Sequence, residues 1–161
     1  MIIDSNITNQ HKQLEQASCI PMSVELVLKL TNQVDSDYYE QQKNWHNKKK
    51  YGDFRDYNGE TIKGLTFSHR FSPNDRGRNF SLDKLFDEIS DEIRNQRFVI
   101  ISLEVSQGWH NYVIYNQLST GEFEAVTQGG VVIKNVKEQV NKMQGTDILI
   151  YRHDNDSAPH S

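Results

Sequence analysis

The chain has 161 residues, enough for one domain of ordinary size. Eighteen Lys and Arg against twenty-two Asp and Glu leave a net charge of −4, which argues against nucleic acid as the main partner, because phosphate binding normally shows a basic surplus. The single cysteine excludes an internal disulfide framework and a multi-cysteine zinc site, and no apolar run approaches the ~20 residues of a transmembrane helix.

The start, Met1-Ile2-Ile3-Asp4-Ser5-Asn6, has neither a basic nor an apolar signal region, so the chain is expected to be cytoplasmic or exported without a cleavable signal peptide. Residues 1–12 read as a polar arm. From Ile20 to Leu30 the apolar positions cover more than one helical face, the pattern of a helix buried in the domain, with Pro21 tolerated in its first turn. Residues 33–80 mix many aromatics with Lys, Asn and Gly and read as an ordered, irregular layer with a short helix near 36–47. Lys48-Lys49-Lys50 reads as a solvated turn.

Ser81 is placed to cap an amphipathic helix carrying Leu82, Leu85, Phe86, Ile89 and Ile93. Residues 98–105 read as a central strand, and 110–115 with 122–127 as a hairpin turned by Ser119-Thr120-Gly121. Residues 131–133 form a short strand. Asn135-Val-Lys-Glu138 resembles a capping box opening a helix that Gly145 stops. Residues 147–152 are a last strand, and 153–161 a frayed tail. Helices first and a mostly antiparallel sheet afterwards predict one α+β domain over residues 1–161.

Cys19 falls at the N-terminus of the buried helix, where the macrodipole favours a thiolate. His110 opens a strand far downstream, and Gln13 stands six residues before Cys19, where its amide can face the same oxyanion as the Cys19 backbone N–H. None of the other histidines (His11, His46, His69, His153, His160) pairs with another at metal-ligand spacing. His153, Asp154 and Asp156 read as tail rather than as ligands, and no metal or cofactor is expected. Trp109 reads equally as core packing or as a wall over the nucleophile, contacting substrate.

Gln13-x5-Cys19-Ile20-Pro21-Met22-Ser23 before an apolar helix, joined to Gly108-Trp109-His110-Asn111-Tyr112-Val113-Ile114-Tyr115 in a later hairpin, resembles the papain-like cysteine peptidases. The particular likeness is to the bacterial kind that removes double-glycine leader peptides from bacteriocins. It covers about residues 13–31 and 81–152 and does not register in 33–80. The resemblance implies a papain-like fold, with the Cys19 helix packed on the sheet. It also implies a Cys19 nucleophile, a His110 base and an oxyanion site at Gln13.

Two departures stand out. Ile20 replaces the family's usual Gly, and Thr127 or Gln128 stands where the family has an Asp. Strand alternation favours Thr127, because Phe123, Ala125 and Thr127 share a face. The expected function is a cysteine hydrolase or acyl-transfer enzyme acting on a peptide or protein amide, most simply a peptidase. A glutamine deamidase or transglutaminase-like effector uses the same machinery, and a degenerate papain-fold peptide-binding domain is the alternative of another class. The geometric expectation is a His110 ring nitrogen within about 4 Å of the Cys19 sulfur.

Overall fold

Apolar residues on nearly every side of the segment after Cys19 leave it one stable place, the interior. Helix α2 (Cys19–Leu30) is buried throughout residues 21–29. The computed structural model describes residues 1–154. Around α2 lie α1 (Ser5–Gln10), α3 (Glu40–Lys48), α4 (Leu82–Arg94) and α5 (Val136–Met143). The strands are β1 (Thr61–Ile62), β2 (Leu65–Arg70), β3 (Val99–Val105), β4 (Gly108–Gln117), β5 (Phe123–Val126), β6 (Val132–Ile133) and β7 (Ile148–His153). They form one sheet in the order β1-β2-β7-β3-β4-β5-β6, with every pairing antiparallel. The architecture is α+β.

Each face of the sheet carries its own core, sorted by strand alternation. Ile100, Val113, Val126 and Leu149 pack with Val24, Leu26 and Leu28 of α2. Val99, Ile101, Leu103, Tyr112 and Ile114 pack with Leu85 and Ile89 of α4 and Val140 of α5. Burying a side chain such as Leu26 or Ile101 contributes roughly 1.5–3 kcal/mol. The sandwich of helix, sheet and helix is therefore well supplied despite a mean hydropathy of −0.75.

Four local expectations are corrected. The polar arm at 1–12 contains α1, N-capped by the Asp4 side chain and docked where Gly129 N–H donates to the His11 carbonyl. Gly130, at φ +76°, lies so close to α1 that a Cβ there would meet the Asn9 side chain. Within 33–80, the helix near 36–47 is α3, but the layer also holds β1 and β2, and β2 pairs with β7 along its whole length. Leu65 and Phe67 supply its buried face.

The caps also differ. Ser81 makes no side-chain capping bond, and neither does Asn135, whose Oδ1 instead accepts from Gln139. The α5 N-terminus is capped from another element, because the Glu122 carboxylate accepts from the N–H groups of Lys137 and Glu138. An acidic group there also meets the positive end of the macrodipole. Of the tail expected at 153–161, His153 ends β7, while Asp154 accepts from Thr66 Oγ1 and donates its N–H to the Gly64 carbonyl. The remainder, with Asp156 and His160, lies outside the described residues. Among the described residues no helix is long and apolar enough to cross a membrane.

Glu122→Ala is expected to lower stability by about 1 kcal/mol, the usual cost of a lost helix cap, whereas Asn135→Ala should change it by a few tenths at most. Chemical denaturation of the two variants checks the assignment. Equal losses would mean that Asn135 caps the helix after all.

Candidate functional site

Cys19 sits where the sequence places it, at the first residue of α2, as a half-buried free thiol. Its ionisation departs from expectation. Burial pushes the thiol pKa above its ordinary value, and the backbone N–H groups of Cys19 and Ile20 that face the sulfur pull it back only in part. The helix terminus does favour the anion, but desolvation outweighs it, so the neutral thiol is the stable form at neutral pH.

His110 lies on β4, with its ring edge-on to Tyr112 at 5.1 Å between centroids. Its Nε2 is 2.9 Å from Thr127 Oγ1, just beyond the end of β5. The Thr127 hydroxyl in turn donates to the Asn111 carbonyl at 3.1 Å. A hydroxyl has one proton, so Thr127 must accept from the imidazole. That assigns Nε2–H as the protonated nitrogen and leaves the lone pair on Nδ1. Burial also lowers the His110 pKa, which keeps the ring neutral.

Among the described residues no hydrogen bond joins the Cys19 thiol to His110 or to any other side chain, and the two residues line different cavities. The register explains why. His110 alternates with Tyr112 and Ile114 toward the α4 face, whereas Asn111 points to the α2 face. Asn111 donates to Ser102 Oγ at 2.8 Å, and both line a cavity of about 440 Å³ with Cys19 and Asp147. His110 and Thr127 line a neighbouring cavity of about 560 Å³ with Gln13, Gln16, Gln107 and Gln128. Trp109 borders both, 46% exposed, with the Arg76 guanidinium 5.1 Å from its ring. It is a wall of the site and not core.

Gln13 also differs from the resemblance. Its side-chain nitrogen donates to the Glu15 and Gln16 carbonyls, both at 2.8 Å, so both amide hydrogens are taken by its own loop. Gln128 begins a 3₁₀ turn, and its side chain makes no hydrogen bond to His110. Leu14, Trp109 and Val131 are exposed apolar side chains around the His110 cavity. Its rim is therefore apolar, and much of its remaining lining is uncharged amide and hydroxyl.

A buried histidine–acid pair is not signalled by the sequence. His69 Nε2 is 2.7 Å from Asp147 Oδ2, both nearly buried, on the α2 face of the sheet. The alternation Leu65, Phe67, His69 places the ring on that face, but nothing local joins it to an Asp 78 residues away. Among the described residues no three His, Cys, Asp or Glu side chains are grouped to hold a metal ion. No family model and no curated protein matches the chain.

At neutral pH, Cys19 in the folded protein should be alkylated more slowly than free cysteine, and its rate should still be climbing above about pH 8.5, where a free thiol is half ionised. A plateau at lower pH would mean that the helix terminus prevails over burial.

Proposed function

We propose that this chain is a papain-like cysteine amidase, most simply a peptidase, in which Cys19 attacks a peptide or protein amide and His110 moves the proton. The observation that carries the reading is the Asn111–Thr127–His110 hydrogen-bond chain. It fixes the tautomer a base requires, with Nδ1 unprotonated, on the strand beside the nucleophile's helix. The two cavities meet at Trp109, and bound substrate must bridge them there and draw His110 Nδ1 to the thiol.

Both groups are neutral at rest, so the reaction runs by general-base catalysis and not through a preformed ion pair. As Sγ bonds to the carbonyl carbon, the thiol proton passes to His110 Nδ1. The carbonyl oxygen becomes an oxyanion beside the backbone N–H groups at the start of α2. Collapse to a thioester breaks the C–N bond, and the leaving amine takes the proton from His110. Water, deprotonated by His110, then hydrolyses the thioester and restores the thiol. With a glutamine side chain as substrate the leaving group is ammonia, and the product is glutamate.

Thr127 orients the imidazole but gives the imidazolium no compensating charge. Thr127→Val should lower turnover about 10–100-fold, and Thr127→Asp should preserve or raise it. Cys19→Ala should abolish turnover, and His110→Ala should reduce it about 10²–10⁴-fold. Mass spectrometry of a peptide mixture incubated with each folded variant reads both backbone cleavage and glutamine-to-glutamate conversion.

A second reading, a papain-fold domain that binds peptide without turnover, is favoured by the engaged Gln13 amide and the missing Cys19–His110 hydrogen bond. It predicts that parent and Cys19→Ala bind the same peptides equally and that neither alters them. Loss of peptide products in Cys19→Ala alone decides for the amidase.

A further inference from the structure

The segment before Cys19 has no regular structure between α1 and α2, yet it is held by one side chain from another helix. Gln42, on α3 and almost wholly buried, uses all four of its hydrogen-bonding positions. Its Oε1 accepts from the Leu14 backbone N–H at 2.6 Å and from Ser18 Oγ at 2.7 Å. Its Nε2 donates to the Lys12 carbonyl at 2.8 Å and to Glu25 Oε1 at 2.7 Å. The Gln42 backbone N–H donates to the second oxygen of the same carboxylate, Glu25 Oε2, at 3.0 Å. Three of these bonds reach residues 12–18, the segment that carries Gln13 and ends at the nucleophile.

Glu25 has no exposed surface and sits on the buried side of α2. A buried carboxylate is retained only where it is fully paired. Here one face is taken by Gln42, and Lys29 lies one helical turn on. Lys29 Nζ is 2.8 Å from His11 Nδ1 and 3.8 Å from the centre of the Tyr39 ring. Lys29 donates, so His11 carries its proton on Nε2 and gives it to the Met22 carbonyl at 2.8 Å. Tyr39 closes the network, because its hydroxyl accepts from the Lys12 N–H. The network thus grips the loop at Lys12, Leu14 and Ser18, and grips the end of α1 at His11.

We infer that Gln42 is the positioning residue of the Cys19 segment, oriented by Glu25, so that α3 sets where the loop and the nucleophile stand relative to the His110 strand. The inference rests on the proposed function for its catalytic meaning, but its test reads the loop and not turnover. Gln41 supplies the control. It is also buried, and its side chain bonds to the Tyr38 and Tyr57 hydroxyls, but none of its hydrogen bonds reaches the loop.

Hydrogen exchange, measured residue by residue on the full chain, tests it. In Gln42→Leu the Leu14 and Ser18 amides should exchange at least about tenfold faster than in the parent, while β3 and β4 amides keep parental rates. Gln41→Leu should leave the loop unaffected. Gln42→Glu gives a readout that simple destabilisation does not move. Near pH 5 the two carboxyls can share a proton, and loop exchange should stay near the parent's. As the pH is raised toward about 10 the shared proton is lost, the two carboxylates repel, and exchange should climb toward that of Gln42→Leu.

The other ionisable groups that sense the Glu25 charge are Lys29, Tyr38 and Tyr57. The parent, carrying the same groups, corrects for them at each pH. Loop exchange that is unchanged in Gln42→Leu, or that rises only in step with the whole molecule, overturns the inference. So does a pH-independent Gln42→Glu. Should Gln42→Leu fail to fold, the pH series on Gln42→Glu decides alone. Loss of peptide turnover with an intact exchange result would count against the amidase reading and leave the positioning role standing.

Discussion

The burial of α2 is the constraint from which the other features follow. A helix apolar on nearly all sides must be covered by the sheet on one flank and by α1, α3 and the aromatic layer on the others. Its N-terminus is thereby carried inward, and Cys19 becomes a desolvated thiol at the wall of a cavity. The same burial encloses Glu25 and Lys29, which would be costly if left unpaired. They are paired, with Gln42 and His11, and those partners are the anchors of the loop that leads to Cys19. Burial pushes the Glu25 pKa up to about 7 against the opposing pull of Gln42 and Lys29. It takes the His11 pKa down to about 4, assisted by the Lys29 charge.

Electrostatically the candidate site is consistent with itself. A carboxylate beside His110 would stabilise an imidazolium and, through it, a thiolate. Thr127 does neither, and burial works against charge on both Cys19 and His110. What the hydroxyl supplies is orientation. It spends its proton on the Asn111 carbonyl and must accept from the ring, which leaves a single tautomer. A neutral pair with a fixed tautomer suits proton transfer during attack and not before it. Asp147, held by His69, and the bonded pair Ser102–Asn111 give the Cys19 cavity a polar wall of its own.

Much of this was legible in the residues. The period of α4, the run 98–105 and the turn at Gly121 place α4, α5 and strands β3 to β7 within a residue or two, because each is a local pattern. Alternation along 123–127 places Thr127 on the His110 side of the hairpin. What the sequence hid depends on contacts distant along the chain. Glu122 caps α5 from fifteen residues away, and a local Asn with a Glu three residues later imitates a cap it does not make. The strand β2 alternates Leu65, Phe67 and His69, but the surrounding Asn, Gly and Arg mask six residues of period two. A helix terminus is visible in sequence and desolvation is not, so the residues alone point to a thiolate at Cys19 where burial favours the thiol. Gln13 sits at the right spacing, while its amide is turned into its own loop.

The central claim is that Cys19 and His110 act on one carbonyl. A crystal structure of the protein carrying a peptide aldehyde tests it most directly, because the aldehyde carbon and oxygen mimic the tetrahedral centre. The account predicts a thiohemiacetal on Cys19 Sγ, its oxygen near the backbone N–H groups opening α2. It also predicts His110 Nδ1 within hydrogen-bonding distance of the adduct, with Nε2 still on Thr127. An adduct on Cys19 with His110 remaining across Trp109 in its own cavity, or no adduct at all, would contradict it.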